Sequence, residues 1–148
     1  MVEKYQGGVV NAPGPATDLE NKLAESAQKA IGEYETAMKE LAFHKALFAV
    51  FSLISDANKY VDSAAAWTLA KNNDTGRLTR VMYTLVDVLR ISALLLAPFI
   101  PGSAQNIWAQ LGLEENISDQ NLKDAAKWAG FPAGRKINKG PNLFPRIK

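Results

Sequence analysis

The sequence predicts an all-α protein, a helical bundle with an irregular C-terminal arm, and three observations carry that prediction. Long stretches repeat apolar residues at three- and four-residue steps, the period of a helix with one buried face. Clusters of glycine, proline and asparagine separate those stretches. No segment shows the apolar–polar alternation of a half-buried strand. With 148 residues, 47% hydrophobic and 22% charged, the chain is large enough for one core and too apolar for wholesale disorder.

Residues 1–15 read as a linker preceded by the remnant of a helix, because Gly7-Gly8 and Asn11-Ala-Pro-Gly-Pro15 interrupt regular structure. Residues 16–130 read as the helical domain. Thr17 or Asp18 caps its first helix, which turns Leu19, Leu23, Ala27, Ala30, Ile31, Tyr34 and Met38 inward. Glu20, Lys22, Glu25, Lys29, Glu33 and Lys39 form its solvated face. A second helix, from Ala42–His44 to about Asp62, aligns Ala46, Leu47, Val50, Phe51, Ile54, Ala57 and Val61. Asn58 falls within that stripe. An unpartnered buried amide costs ~1–3 kcal/mol, so Asn58 is expected as a structural amide bonded to neighbouring helices.

Ala64-Ala-Ala66 either continues this helix or begins another after a bend, and leads to Trp67. Asn72–Gly76 is a turn with Asp74 or Thr75 as the next cap. The helix from Arg77 to about Leu96 becomes apolar all round toward its end, so it is expected at the centre. Pro98 and Pro101 end it. A short helix, Ala104–Leu111, turns Ile107, Trp108 and Leu111 inward and stops at Gly112. Residues 131–148 read as an extended arm that packs Leu143, Phe144 and Ile147 onto another surface.

Composition removes several function classes. No cysteine is present, which excludes thiolate metal sites and disulfides and suits a reducing cytoplasm. The one histidine, His44, has no ligand-spaced partners and reads as a surface or junction residue, so no metal site is expected. No glycine-rich phosphate loop and no nucleophile–base pair occur, so no catalytic residue and no cofactor are assigned to this chain. The longest apolar run, Ile91–Ile100, falls far short of the ~20 residues of a membrane span. The expectation is a soluble, cytoplasmic, non-catalytic binding domain.

Charge is asymmetric: after Asp124 come six basic residues and no acidic one, although the whole chain carries only +2. Such a tail meets phosphate or an acidic face of the same protein. Trp67, Lys59, Lys71, Arg77 and Arg80 gather around one helix junction. An indole there can stack a base, and the cations can meet phosphates. Tryptophan at a helix junction is nevertheless more often core. The residues alone therefore leave a helical bundle with an RNA-binding or a protein-binding surface.

The order of motifs adds a resemblance. Asn58-Lys-Tyr-Val-Asp62, then Trp67-Thr-Leu-Ala-Lys71, is similar to the N-[RK]-Y-[IV]-[DE] and P-W-x-L-A-K pattern of class I aminoacyl-tRNA synthetases. Leu94-Leu-Leu-Ala-Pro-Phe-Ile-Pro101, Ile107-Trp-Ala-Gln-Leu-Gly-Leu113 and the ending Leu143-Phe-Pro-Arg-Ile147 resemble the C-terminal anticodon-binding domain of bacterial methionyl-tRNA synthetase. The resemblance implies the helical bundle of that domain and places Trp67 on the CAU anticodon. It places Asp62 as the carboxylate that repels wrong tRNAs, since phosphate near an unpaired carboxylate is penalised. Lys59, Lys71 and Arg77 remain candidate phosphate contacts from charge and proximity alone.

The implied partners are methionine-specific tRNA and the catalytic domain of the same enzyme, toward which the basic arm would fold. The implied cofactors, ATP and magnesium, belong to that catalytic domain. Ala66 stands where the family usually has proline, and Ser55 stands where some members carry a second acidic residue. The family's other anticodon readers lie on a helix preceding Val2, and the catalytic signatures do not occur in these residues. The alternatives are a helical protein–protein module, or the equivalent domain of a sibling synthetase.

Overall fold

Three 22-residue helices, each about 33 Å long, form the frame of the bundle. The structure is a computed structural model that describes residues 1–147. In chain order the elements are α1 (Val2–Gln6), β1 (Val9–Val10), α2 (Asp18–Lys39), α3 (Phe43–Ala64) and α4 (Ala66–Lys71). They continue with α5 (Thr75–Leu96), α6 (Pro101–Gln110), a 3₁₀ turn (Ile117–Asp119), α7 (Leu122–Ala125) and β2 (Arg135–Lys136). The all-α expectation stands.

Helices α2 and α3 meet through small side chains. Ala27, Ala30 and Ala37 on α2 and Ala46 and Ala49 on α3 are all buried, which lets the two backbones approach closely. Helix α5 lies across both, with Val81, Met82, Ile91 and Leu95 in the deepest part of the core. Tyr34, Phe43 and Phe99 meet edge to face at one end of the bundle, joining α2 and α3 to the turn after α5. The opposite end holds the α3–α4 and α4–α5 junctions.

That second end is tied together by Glu20. Thr17 and Glu20 form a reciprocal capping box at the start of α2. The Glu20 carboxylate, only 1% exposed, also accepts a hydrogen bond from the Tyr60 hydroxyl on α3. Arg77 on α5 donates to both of its oxygens, at 2.7 and 2.8 Å. This corrects the expectation that Glu20 belongs to a solvated face. Its inward turn follows from the capping box, which fixes the first turn and aims the carboxylate at α3 and α5.

Two further expectations change. The inward face of α3 is Ala46, Ala49, Val50, Leu53, Tyr60 and Ala64, and Asn58 is exposed rather than a buried structural amide. The cause is the close approach of α2, which selects small alanines and Tyr60 for the interior and leaves Phe48 and Phe51 outside. Asn58 lies on the rim of an apolar groove of about 610 Å³, lined by Ile54, Val61, Leu85 and Leu89 and opening beside Met1.

The chain also contains a two-stranded antiparallel ladder that no alternation announced, pairing Val9 with Lys136 and Val10 with Arg135. Two residues per strand are too few to show a period. The stretch read as a linker thus includes a fully buried Val10 and a Gln6 side chain that donates to Thr79. The arm passes over Gly112, where an added Cβ would sit 2.2 Å from the Lys136 carbonyl at a φ of +76°, so only glycine fits. Farther on, Phe144 and Ile147 are largely exposed rather than packed as expected, while Leu143 is half-buried.

The segment between α7 and β2 is held by one buried ion pair. Asp87 accepts from Arg90 Nε at 2.9 Å, from the Ala129 amide at 2.7 Å and from the Phe131 amide at 2.9 Å. Arg90 donates onward to the carbonyls of Ala125 and Lys127. Tyr83 reaches the Phe131 carbonyl at 2.8 Å and packs edge to face on its ring.

Two outcomes follow from these buried charges. Burial pushes the Glu20 carboxyl upward, but hydrogen bonds from Arg77, Tyr60 and Thr17 outweigh it and hold the group at about 2. The folded value lies below the ordinary ~4.3, so this stabilisation is complete above that value and is lost as pH falls toward about 2. Chemical denaturation from pH 6 to 2 is expected to show that loss in the parent chain and a flattened profile in Glu20→Gln. Asp87→Asn is expected to destabilise by about 3–5 kcal/mol. Hydrogen exchange should then speed first at the Ala129 and Phe131 amides; unchanged exchange there would contradict the assignment.

Candidate nucleic-acid interface

Trp67 stands at the second position of α4, just after the bend that ends α3, and is 53% exposed. It is an indole presented to solvent, not a core residue. The residue before it, Ala66, is fully buried. Ala65, between the helices, has left-handed torsions, φ 45° and ψ 53°. Its carbonyl accepts the amides of Thr68 and Leu69, at 2.8 and 3.2 Å, which opens α4 directly after the bend.

Asp62, on the last turn of α3, is exposed, as are Asn58 and Lys59 on the preceding turn. Residues three and four apart share a helix face, so Asn58, Lys59 and Asp62 form one polar surface that leads to the bend. Lys59 bridges to Asp56 at 3.1 Å, an exposed pair of the kind worth little in water. Lys71 closes α4 with its side chain in solvent. Asp74 caps α5 by accepting the Arg77 amide at 3.1 Å.

Arg77 belongs elsewhere. Both its terminal nitrogens are committed to Glu20, and that carboxylate raises the guanidinium further above its ordinary value. It is therefore a poor phosphate contact and a structural cation. Arg80 turns toward the N-terminal loop and donates to the Gly14 carbonyl at 3.3 Å. Of the residues named from sequence, the structure thus brings Trp67, Lys71, Asp62, Lys59 and Asn58 to the exposed surface at and beside one end of the bundle, and removes Arg77.

Three consecutive alanines left open whether the helix continues or bends, and did not single out Ala65 as the residue that turns. Glu20 could have been found from Thr17-x-x-Glu20, the spacing of a capping box. No group of three metal-ligating side chains converges among the described residues. No helix among them is long and apolar enough to cross a membrane.

Comparison with known proteins agrees with this arrangement. Residues 10–148 match the family described as the anticodon binding domain of methionyl tRNA ligase. The methionine–tRNA ligase of Bacillus subtilis is 38% identical over 152 residues, covering 100% of this chain and 22% of that protein. That of Streptomyces coelicolor is 35% identical, covering 100% of this chain and 29% of the relative. The crystal structure of ligand-free Mycobacterium tuberculosis methionyl-tRNA synthetase superposes with a TM-score of 0.88 at 30% identity, over 100% of this chain and 30% of that one. The chain therefore spans less than a third of the length of these relatives. An all-α bundle with an exposed tryptophan at its α3–α4 bend, matched by that family over nearly its whole length, belongs to the anticodon-binding domain family of the methionyl-tRNA synthetases.

Proposed function

We propose that this domain selects methionine tRNA by its CAU anticodon for a synthetase that joins methionine to that tRNA with ATP and magnesium. The single observation that carries the reading is Trp67, half exposed at one end of the bundle in a chain of this family. Its indole offers a stacking face for an anticodon base, and every base has a π-face to match. Lys71 and Lys59 are the proposed phosphate contacts. Asp62, exposed and in no ion pair among the described residues, is the proposed discriminator: a backbone phosphate brought against it is repelled.

The aminoacylation chemistry is placed in the larger part of the enzyme that these residues do not include. The exposed Phe144 and Ile147 on the basic arm support a contact with that part, because apolar side chains offered on a tail gain by burial against a partner. A cytoplasmic setting follows from the same proposal.

Two measurements test the reading. Titration of the domain with a CAU anticodon stem-loop should quench tryptophan fluorescence saturably, prefer CAU over a changed anticodon and weaken with salt. Trp67→Ala should cost about 1–3 kcal/mol of that binding. In the full-length enzyme it should lower tRNA charging and spare methionine-dependent ATP–pyrophosphate exchange; loss of both activities would make Trp67 a folding residue instead. The second measurement separates the two cations. Lys71→Ala should weaken RNA binding with the thermal midpoint unchanged, whereas Arg77→Ala should lower the midpoint sharply because it strands the buried Glu20 carboxylate.

A further inference from the structure

We infer that Ala65 is the positioning residue for Trp67, turning the indole out of the helical core; the inference rests on the reading of Trp67 as the base platform. On α3 the buried positions include Leu53, Tyr60 and Ala64. Trp67 follows Tyr60 by seven residues and Ala64 by three, and residues at those spacings share a helix face. A helix running straight through position 65 would therefore aim Trp67 along the face that buries Tyr60 and Ala64. The structure shows the reverse. Ala65 closes α3 with its amide on the Val61 carbonyl at 3.2 Å, then takes φ 45° and ψ 53° and restarts the chain as α4. The inward position passes from residue 67 to residue 66: Ala66 is fully buried and Trp67 is 53% exposed.

Nothing local favours that break. Ala64, Ala65 and Ala66 are the best helix formers available, and the left-handed region is unfavourable for a side chain bearing a Cβ. Glycine is the residue that adopts it freely. A non-glycine residue held there is strained, and such strain persists only where surrounding structure over-determines it. Here the surroundings are the buried Ala66 methyl, the two amides on the Ala65 carbonyl, and the α4–α5 turn in which the Asp74 amide bonds the Leu69 carbonyl at 3.0 Å. The conformation of a single residue therefore decides whether the tryptophan faces the core or the solvent.

The test uses this chain and two variants with opposite effects on the left-handed region. Ala65→Gly relieves the strain and should raise the thermal midpoint by about 2–4 °C. It should leave the Trp67 indole N–H open to relaxation by a soluble gadolinium chelate, with the signal assigned through Trp67→Phe. In a continuous helix the same glycine would lower the midpoint, so the sign of the change discriminates. Ala65→Val, whose branched Cβ resists positive φ, should protect the indole from the chelate and weaken CAU stem-loop binding about tenfold. Should the valine variant fail to fold, the glycine variant still decides by the sign of its shift. A lowered midpoint in Ala65→Gly, or an indole still open in folded Ala65→Val, overturns the inference. If Trp67→Ala leaves stem-loop affinity unchanged, the base-platform reading falls, and the effect of Ala65 on indole exposure is still read directly from the chelate.

Discussion

Glu20 sits one turn into α2 with its carboxylate out of water, and three elements meet on its two oxygens: the α2 cap, Tyr60 of α3 and Arg77 of α5. A buried carboxylate is tolerable only when charge and hydrogen bonds surround it. That requirement fixes the relative positions of the end of α3 and the start of α5, between which α4 and Trp67 are suspended. The same contacts hold the Tyr60 phenol above its ordinary value: burial raises it, and the adjacent carboxylate raises it further. The proton stays on the phenol and the negative charge on Glu20. Arg77 then balances one charge with one charge, and the network is electrically closed.

Asp87 and Arg90 play a comparable part farther along α5. A carboxylate that accepts two backbone amides from residues 129 and 131 gives partners to a stretch with no helix or ladder of its own. From that anchor the chain reaches β2, pairs with Val9–Val10 and crosses Gly112. The arm is thus fixed at its root by buried charge and offered at its tip as exposed Phe144 and Ile147.

Periodicity made the frame legible. Helices α2, α3 and α5, with the N-caps of α2 and α5, were readable because each runs 22 residues, long enough for a 3.6-residue period to show. The stripe of α3 was misaligned at Phe51, which hydrophobicity ranks above Ala49, whereas close helix packing ranks the two by size. Asn58 was placed indoors by that error. The β1–β2 ladder was invisible because two residues carry no period. At the site, Trp67 was singled out by its helix junction and by resemblance, and Asp62 by resemblance alone. Arg77 was misread because charge in sequence does not reveal a partner 57 residues away.

The residue before Trp67 sharpens this last point. A proline at position 66 would disfavour the right-handed conformation at position 65 by local sterics alone. Alanine at that position imposes no such bias, yet the break is present. The constraint must therefore come from tertiary structure: the burial of Ala66, the Asp74–Leu69 turn and the packing of α4 on α5. In this chain the indole stands at the same bundle end that Glu20 and Arg77 hold together: the ion pair joins α2 to α5, and α4, which carries Trp67, packs on α5.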